Sequence, residues 1–455
     1  MSKPRIQLSD HFTYPRLLRF VAPSITMMIF TSIYGVVDGF FVSNYVGKTP
    51  FAALNFIMPF IMVLGGTGFM LGTGGSALVA KEMGCGHTER ANRIFTMMIG
   101  FVVVTGLILT VLGVAFIRPI ARLMGASESI MADCVLYGRI TIAFTTAFML
   151  QNVFQSFLVV AERPRVGLLV VVAAGVANMV LDALFIAGFH WGVAGVAIAT
   201  AIAYTVSAAT LFIRLLKTDS VVRVTLRDLA IDPVALKRIV KIGLPAGIQS
   251  AVFAVANIII QSAINSLGTE VMAASSAAMS LEYVCYNLLN SFSQACTTFV
   301  GQNHGARQID RCTKTLKVCL VEGGIVALTT IIVIVGLGRE ILSLFNSDPN
   351  IVSIGYIRVC SIFPAYAFSM FYENMSGYLR GFGISLTPAL ITMICVCGIR
   401  FYWVFCVFPH FRTFANIMMV YPISLGTTAF FMVVAVLLCH PARTYRATQA
   451  KATAR

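Results

Sequence analysis

Charge is scarce in this sequence. Only 11% of its 455 residues are Asp, Glu, Lys or Arg, less than half the ~25% usual in soluble domains. A 49.2 kDa chain with a mean hydropathy of +0.87 lacks the polar surface to cover itself in water. That excludes a soluble enzyme, a disordered chain and a small disulfide scaffold. Short alternating segments of a membrane barrel are missing too, because the apolar runs are continuous and far longer than ~10 residues. The six His include no H-x-x-x-H pair, and no Ser/His/Asp set is recognisable. Nothing points to catalysis, so an enzyme is not expected. Eleven Cys scatter mostly through apolar runs and read as small buried hydrophobes rather than as a disulfide framework. Cys395 and Cys397 form C-x-C, which is not a metal pattern by itself. The polar first ~15 residues carry no short apolar core with an A-x-A site, so the first apolar run is read as a retained span.

What remains is an all-α integral membrane protein. Twelve apolar runs are long enough to cross about 30 Å of hydrocarbon at 1.5 Å per residue. They lie near 17–45, 51–80, 94–117, 135–160, 166–188, 192–216, 239–266, 271–300, 316–338, 352–380, 387–409 and 413–440. The net charge of +15 first raises anionic partners such as nucleic acid. Its distribution answers otherwise. The termini and the even-numbered connections hold 25 of the 33 Lys and Arg; the other eight are Lys48, Arg118, Arg122, Arg139, Arg339, Arg358, Arg400 and Arg412. The positive-inside rule then puts both termini in the cytoplasm. The excess charge serves topology and contact with anionic membrane lipid, with no nucleic acid partner expected.

The chain also repeats. "LLRFVAPSI" opens the first run and "IVKIGLPAGI" the seventh, with Pro23 and Pro245 222 residues apart. Gly84 in "AKEMGCGHTERA" and Gly305 in "GQNHGARQIDRC" are 221 apart, as are Arg118 and Arg339, while Arg139 and Arg358 are 219 apart. Six spans per repeat make both copies enter the membrane in the same direction, a parallel repeat whose transporters hold substrate between the halves. The expected organisation is a six-helix lobe over 1–216, a cytoplasmic linker over 217–238, a second six-helix lobe over 239–440 and a basic cytoplasmic tail over 441–455.

These residues resemble the multidrug and toxic compound extrusion (MATE) family. The resemblance runs through "VVDGFFVSNYVGKTPFAALN", "GTGGSALVAKEMGCGHTERA" and "ANMVLDALFIAGFHWGVAGVAIATAIAY" in the first half. In the second it runs through "GLPAGIQS", "LGTEVMAAS", "FVGQNHGAR" and "GYLRGFGIS". It implies two six-helix lobes, alternating access, and efflux of organic cations driven by H⁺ or Na⁺. One departure stands out. Some branches carry a glutamate eight residues after the proline matching Pro245, and here that place is Phe253. A coupling scheme built on that glutamate does not transfer.

An ionisable residue at membrane depth costs at least ~2.5–3.5 kcal/mol on insertion scales, so each needs an explanation. Of 18 carboxylates, Asp38, Asp182, Glu282 and Glu373 sit clearly within spans, with Glu322 a fifth nearer an end. Asn178 lies four residues before Asp182, on the same helix face. Asp38 on span one and Thr200 on span six reach the same outer half of the first lobe. Residues matching Asp38, Asn178, Asp182 and Thr200 form the family's coupling-ion pocket, which the resemblance implies here. Two carboxylates in low dielectric cannot both ionise cheaply, so the pair would share an exchangeable proton; with the Asn and Thr oxygens it also offers hard ligands to Na⁺. The alternative is a hydrogen-bond network that locks spans one, five and six.

Glu282 and Glu373 lie in the second lobe among Tyr283, Tyr372 and Met370. A carboxylate among aromatic faces and soft Met suits a lipophilic organic cation. The alternative is pairing with Arg358 or Arg400, or simple packing. Gln151, Gln249, Asn257 and Gln261 read as interhelical glue, and "GTGGS" at 72–76 as close helix packing rather than a phosphate loop.

The expected function is a cation-coupled antiporter, a monomer in the cell membrane, or the inner membrane of a cell with two. It needs no cofactor beyond H⁺ or Na⁺ as coupling ion. A flippase for lipid-linked sugars would line its cavity with Arg and Lys. A major-facilitator transporter would carry a basic motif between spans two and three, which "KEMGCGHTERANR" fits poorly.

Overall fold

The computed structural model describes residues 14–41, 45–46, 48–124, 126, 128–161, 164–217, 231–343 and 348–442. Most of the expected 217–238 linker and nearly all of the 441–455 tail therefore fall outside the described residues. No strand occurs among those described. The first repeat comprises α1 (Tyr14–Phe41), α2 (Lys48–Gly84), α3 (Thr88–Leu123), α4 (Glu128–Ala143), α5 (Thr145–Val160), α6 (Pro164–Asp182) and α7 (Gly192–Lys217). A π-turn over Ala183–Gly188 extends α6. The second comprises α8 (Pro233–Asn265), α9 (Thr269–Gly305), α10 (Ile309–Gly336), the short α11 (Gly338–Ser343), α12 (Pro349–Gly381), α13 (Leu386–Thr392), α14 (Ile399–Tyr402), α15 (Phe414–Met418) and α16 (Val420–Cys439). Two π-turns, Met393–Gly398 and Trp403–Val407, join α13 and α14 into one continuous span.

Among the described residues, nine helical stretches are long and apolar enough to cross a membrane, and α4 with α5 forms a tenth span bent by 53°. The 28-residue α1 and the 37-residue α9 complete the twelve. Helix α9 is the most polar of the long helices because it faces the bundle: Ser275, Ser291, Ser293 and Thr298 on it are all buried. Outward-facing side chains are the reverse, with Val111, Ile325 and Phe430 more than 60% exposed, as lipid contact requires.

Packing divides the chain into two units, Thr26–Gly247, and Met1–Ile25 together with Ile248–Arg455. The unit boundaries fall inside α1 and α8, two residues after Pro23 and Pro245. The polar connection at 217–238 thus separates the repeats, whereas the packed units exchange the opening turns of α1 and α8. In the first unit, Ala235 and Ile239 at the start of α8 join a core around Leu71, Met98, Phe154 and Phe157. A Cβ on Gly74 would lie 2.3 Å from the Ile239 carbonyl oxygen, and one on Gly243 2.2 Å from that of Met70. Within "GTGGS", Gly74 therefore serves close packing of α2 against α8, while Gly72 lies against α5 and Gly75 against Met98 of α3 and Phe157 of α5. In the second unit, the ring of Phe20 on α1 packs 5.0 Å from that of Phe299 on α9.

The repeat is visible in single hydrogen bonds. After α2, Gly86 N donates to Met83 O and His87 N to Glu82 O; after α9, Arg307 N donates to His304 O and Gln308 N to Asn303 O. Each donor and acceptor is offset by 221. Both ends use a left-handed residue to satisfy the last carbonyls, Gly86 at φ 82° and Arg307 at φ 60°.

Candidate functional site

Two polar pockets lie within the bundles, one in each unit. In the first unit, α6 carries Asn178 and Asp182 one turn apart on the face turned toward α7 and α5. Asp182 is completely buried and Asn178 is 2% exposed. Asn178 and Thr200 line a small cavity together with Gln151 and Tyr204. Its volume, about 10 Å³, holds one water-sized occupant. Among the described residues the Asn178 Nδ2 has no acceptor and the Gln151 Oε1 no donor, so the pocket offers unused polar capacity. Asp182 closes α6 where the chain turns into the π-turn at Ala183, a geometry that recurs at functional sites. The structure thus brings Asn178 and Thr200 onto one cavity with Asp182 a turn away. The side chain of Asp38 lies outside the described residues.

The second pocket is larger, about 290 Å³, and is lined from α8, α9, α12, α14 and α16. One face of α8 supplies Gln249, Phe253, Asn257 and Gln261 at a spacing of four, which aligns them along the helix. Glu282 and Glu373 are on the wall, as is Tyr372, but both carboxylates are engaged. Arg358 donates to Glu282 through Nε and, at 2.9 Å, through Nη2, and its Nη1 donates to Ser275 Oγ. This two-bond fork is the strong form of a carboxylate–guanidinium pair. Glu373 meets the Arg380 Nη2 at 3.4 Å, and Arg380 also donates to Ser376 Oγ at 2.8 Å. Pairing with Arg358, the alternative left open for Glu282, is the arrangement found.

Met370 stands apart from this cavity. It is 1% exposed in a core cluster with Val359 and Phe363, packed beside Gly323 and Gly324 of α10, so its part is packing. The side chain of Tyr283 lies outside the described residues. Glu322, the fifth carboxylate, is buried on α10, and neither of its oxygens has a hydrogen bond among the described residues.

Arg400, expected from the sequence only as an alternative partner of Glu282 or Glu373, pairs with neither. It is 2% exposed and donates from Nη1 to Asn257 Oδ1 at 2.7 Å. The rings of Phe253 and Tyr421 lie 4.8 and 4.7 Å from its central carbon. The available signals were its depth within an apolar run and the four-residue spacing of polar groups on α8. Among the described residues no three His, Cys, Asp or Glu side chains gather as a metal site.

Twelve spans, a doubled six-helix unit and buried polar pockets define a helical membrane transporter. The MatE family model matches residues 23–184 and again 245–405, each match beginning on a repeat proline; the chain belongs to this MATE family of multidrug efflux transporters. The probable multidrug resistance protein YoeA of Bacillus subtilis is 24% identical over 391 residues, covering 84% of each chain. The multidrug export protein MepA of Staphylococcus haemolyticus is 21% identical over 339 residues, 74% of this chain and 75% of that one. Two solved structures share the fold. One is a MOP superfamily transporter from Pyrococcus furiosus, in which reverse polarity of the binding pocket is said to suggest a different function. It has a TM-score of 0.89 at 20% identity, over 98% of this chain and 99% of that one. The other is a multidrug resistance MATE transporter in an outward-facing conformation, with a TM-score of 0.85 at 21% identity and 95% of each chain covered.

Proposed function

We propose that this chain is a cation-coupled antiporter, driven by H⁺ or Na⁺, that exports lipophilic drug-like compounds, organic cations among them, by alternating access. The observation that carries this reading is the ion-sized polar pocket of Asn178 and Thr200 beside the fully buried Asp182. A buried carboxylate one turn from neutral oxygen ligands can take up a proton or a small hard cation. Asp38, on the first span, is the second carboxylate assigned to this site. Ion entry from outside at Asp38 and Asp182 shifts the first lobe and releases the exported compound outward. The second cavity, walled by Tyr372 and Phe253, is roomy and aromatic enough for part of an organic substrate. The chain works as a monomer in the cell membrane, the inner one where there are two, with both termini in the cytoplasm as its basic connections favour.

The test is loss of export without loss of protein. Asp38→Asn and Asp182→Asn are each expected to abolish drug resistance in a host stripped of its own pumps, with normal amounts of the variants in the membrane fraction. Normal resistance in either variant overturns the coupling assignment.

A further inference from the structure

Among the described residues, the second cavity contains one charged side chain without an ion-pair partner. Four of its lining side chains are charged: Glu282, Glu373, Arg358 and Arg400. Glu282 is held by Arg358 and Glu373 by Arg380, which leaves Arg400. Among the described residues it makes no ion pair: Asn257 is a neutral partner, and Arg400 Nε has no acceptor at all. An uncompensated guanidinium that is 98% buried within a membrane bundle is costly. Its surroundings relieve only part of that cost. The rings of Phe253 and Tyr421 stabilise the cation and fix its plane, and Asn257 orients one edge of the fork. The arrangement is a preset donor facing a cavity whose two carboxylates are already paired with other arginines.

A planar oxyanion is the group that completes it. A carboxylate accepts two parallel N–H bonds from a guanidinium and brings the missing negative charge. About 290 Å³ accommodates an aromatic ring bearing such a group, and Tyr286, Tyr372 and Phe253 supply ring faces to stack on it. We propose that this cavity is a carboxylate subsite in which Arg400 receives the acid group of an aromatic compound. This rests on the antiporter reading above, but binding alone can test it.

A matched pair of dyes isolates the acid group. Rhodamine 110 carries a free benzoate, and rhodamine 123 is its methyl ester. Fluorescence anisotropy with purified, detergent-solubilised full-length protein needs no ion gradient, so its outcome is separate from that of antiport. The wild type is expected to bind rhodamine 110 about tenfold more tightly than rhodamine 123, the scale of one charge-assisted pair. Arg400→Gln is expected to bring that ratio to about one, and Arg400→Lys to leave part of it. Asn257→Asp nearly preserves shape and gives Arg400 a fixed counter-charge. It is expected to erase the preference in the same way, which keeps the test decisive if Arg400→Gln fails to fold. Equal affinity of the wild type for acid and ester, or an acid preference that survives Asn257→Asp, overturns the proposal.

Discussion

The two repeats place a helix at the same point of their bundles and load it differently. In the first, α6 carries Asn178 and Asp182 and runs into the π-turn at Ala183–Gly188. In the second, α13 and α14 run into the π-turn at Trp403–Val407. The 221-residue offset sets Arg400 opposite Met179, beside Asn178. One lobe thus holds a buried carboxylate a helical turn from a pocket of about 10 Å³, the other a buried guanidinium on a cavity of about 290 Å³. Duplication preserved the backbone, including its π-turns and caps, while the buried charges diverged in sign and the cavities in size. The antiport proposed above would use the small pocket for the coupling ion and the larger one for part of an organic molecule.

The repeat-matched arginines break the symmetry most sharply. Arg139 is exposed on α4, whereas Arg358 is buried and forked onto Glu282. Arg358→Met leaves Glu282 charged and alone, and is expected to cost about 3–5 kcal/mol. Arg139→Met is expected to cost about 0.5 kcal/mol or less. Thermal unfolding of the detergent-solubilised variants measures both, and the double variant Glu282→Met/Arg358→Met is expected to recover most of the loss. Equal, small shifts for the two single variants would mean that the buried fork is not structural.

A smaller effect sharpens the comparison at the helix ends. Gly86 and Arg307 occupy the same left-handed position after α2 and α9, and only glycine adopts it without strain. Arg307→Gly is expected to stabilise the protein by up to about 1 kcal/mol and Gly86→Ala to destabilise it by about as much. Unfolding midpoints that move the other way would show that Arg307 makes contacts worth more than the strain.

Much of this was legible in the residues. Continuous apolar runs gave the twelve spans, and the constant offset gave the repeat, which the doubled family match bears out. The four-residue step from Asn178 to Asp182 predicted a shared face, because helical spacing is local information. Long-range partners were not legible in this way. Glu282 and Arg358 are 76 residues apart, and the sequence offered Arg400 equally well as a partner. The bend at Phe144 lies between two ordinary helical stretches with no proline or glycine to announce it. The exchange of the opening turns of α1 and α8 between packed units is set by backbone approaches such as Gly74 to Ile239, which a polar linker at 217–238 gives no hint of. The role of Arg400 depends on which carboxylates are already paired, and that is long-range information no local spacing carries.

The most direct test of ion-coupled antiport is ethidium transport in everted membrane vesicles containing the wild-type protein, with a pH gradient and a Na⁺ gradient imposed one at a time. The account predicts concentrative ethidium uptake under at least one gradient, and collapse of that uptake when the gradient is dissipated. Uptake that proceeds equally with neither gradient, or that no gradient can drive, would contradict it.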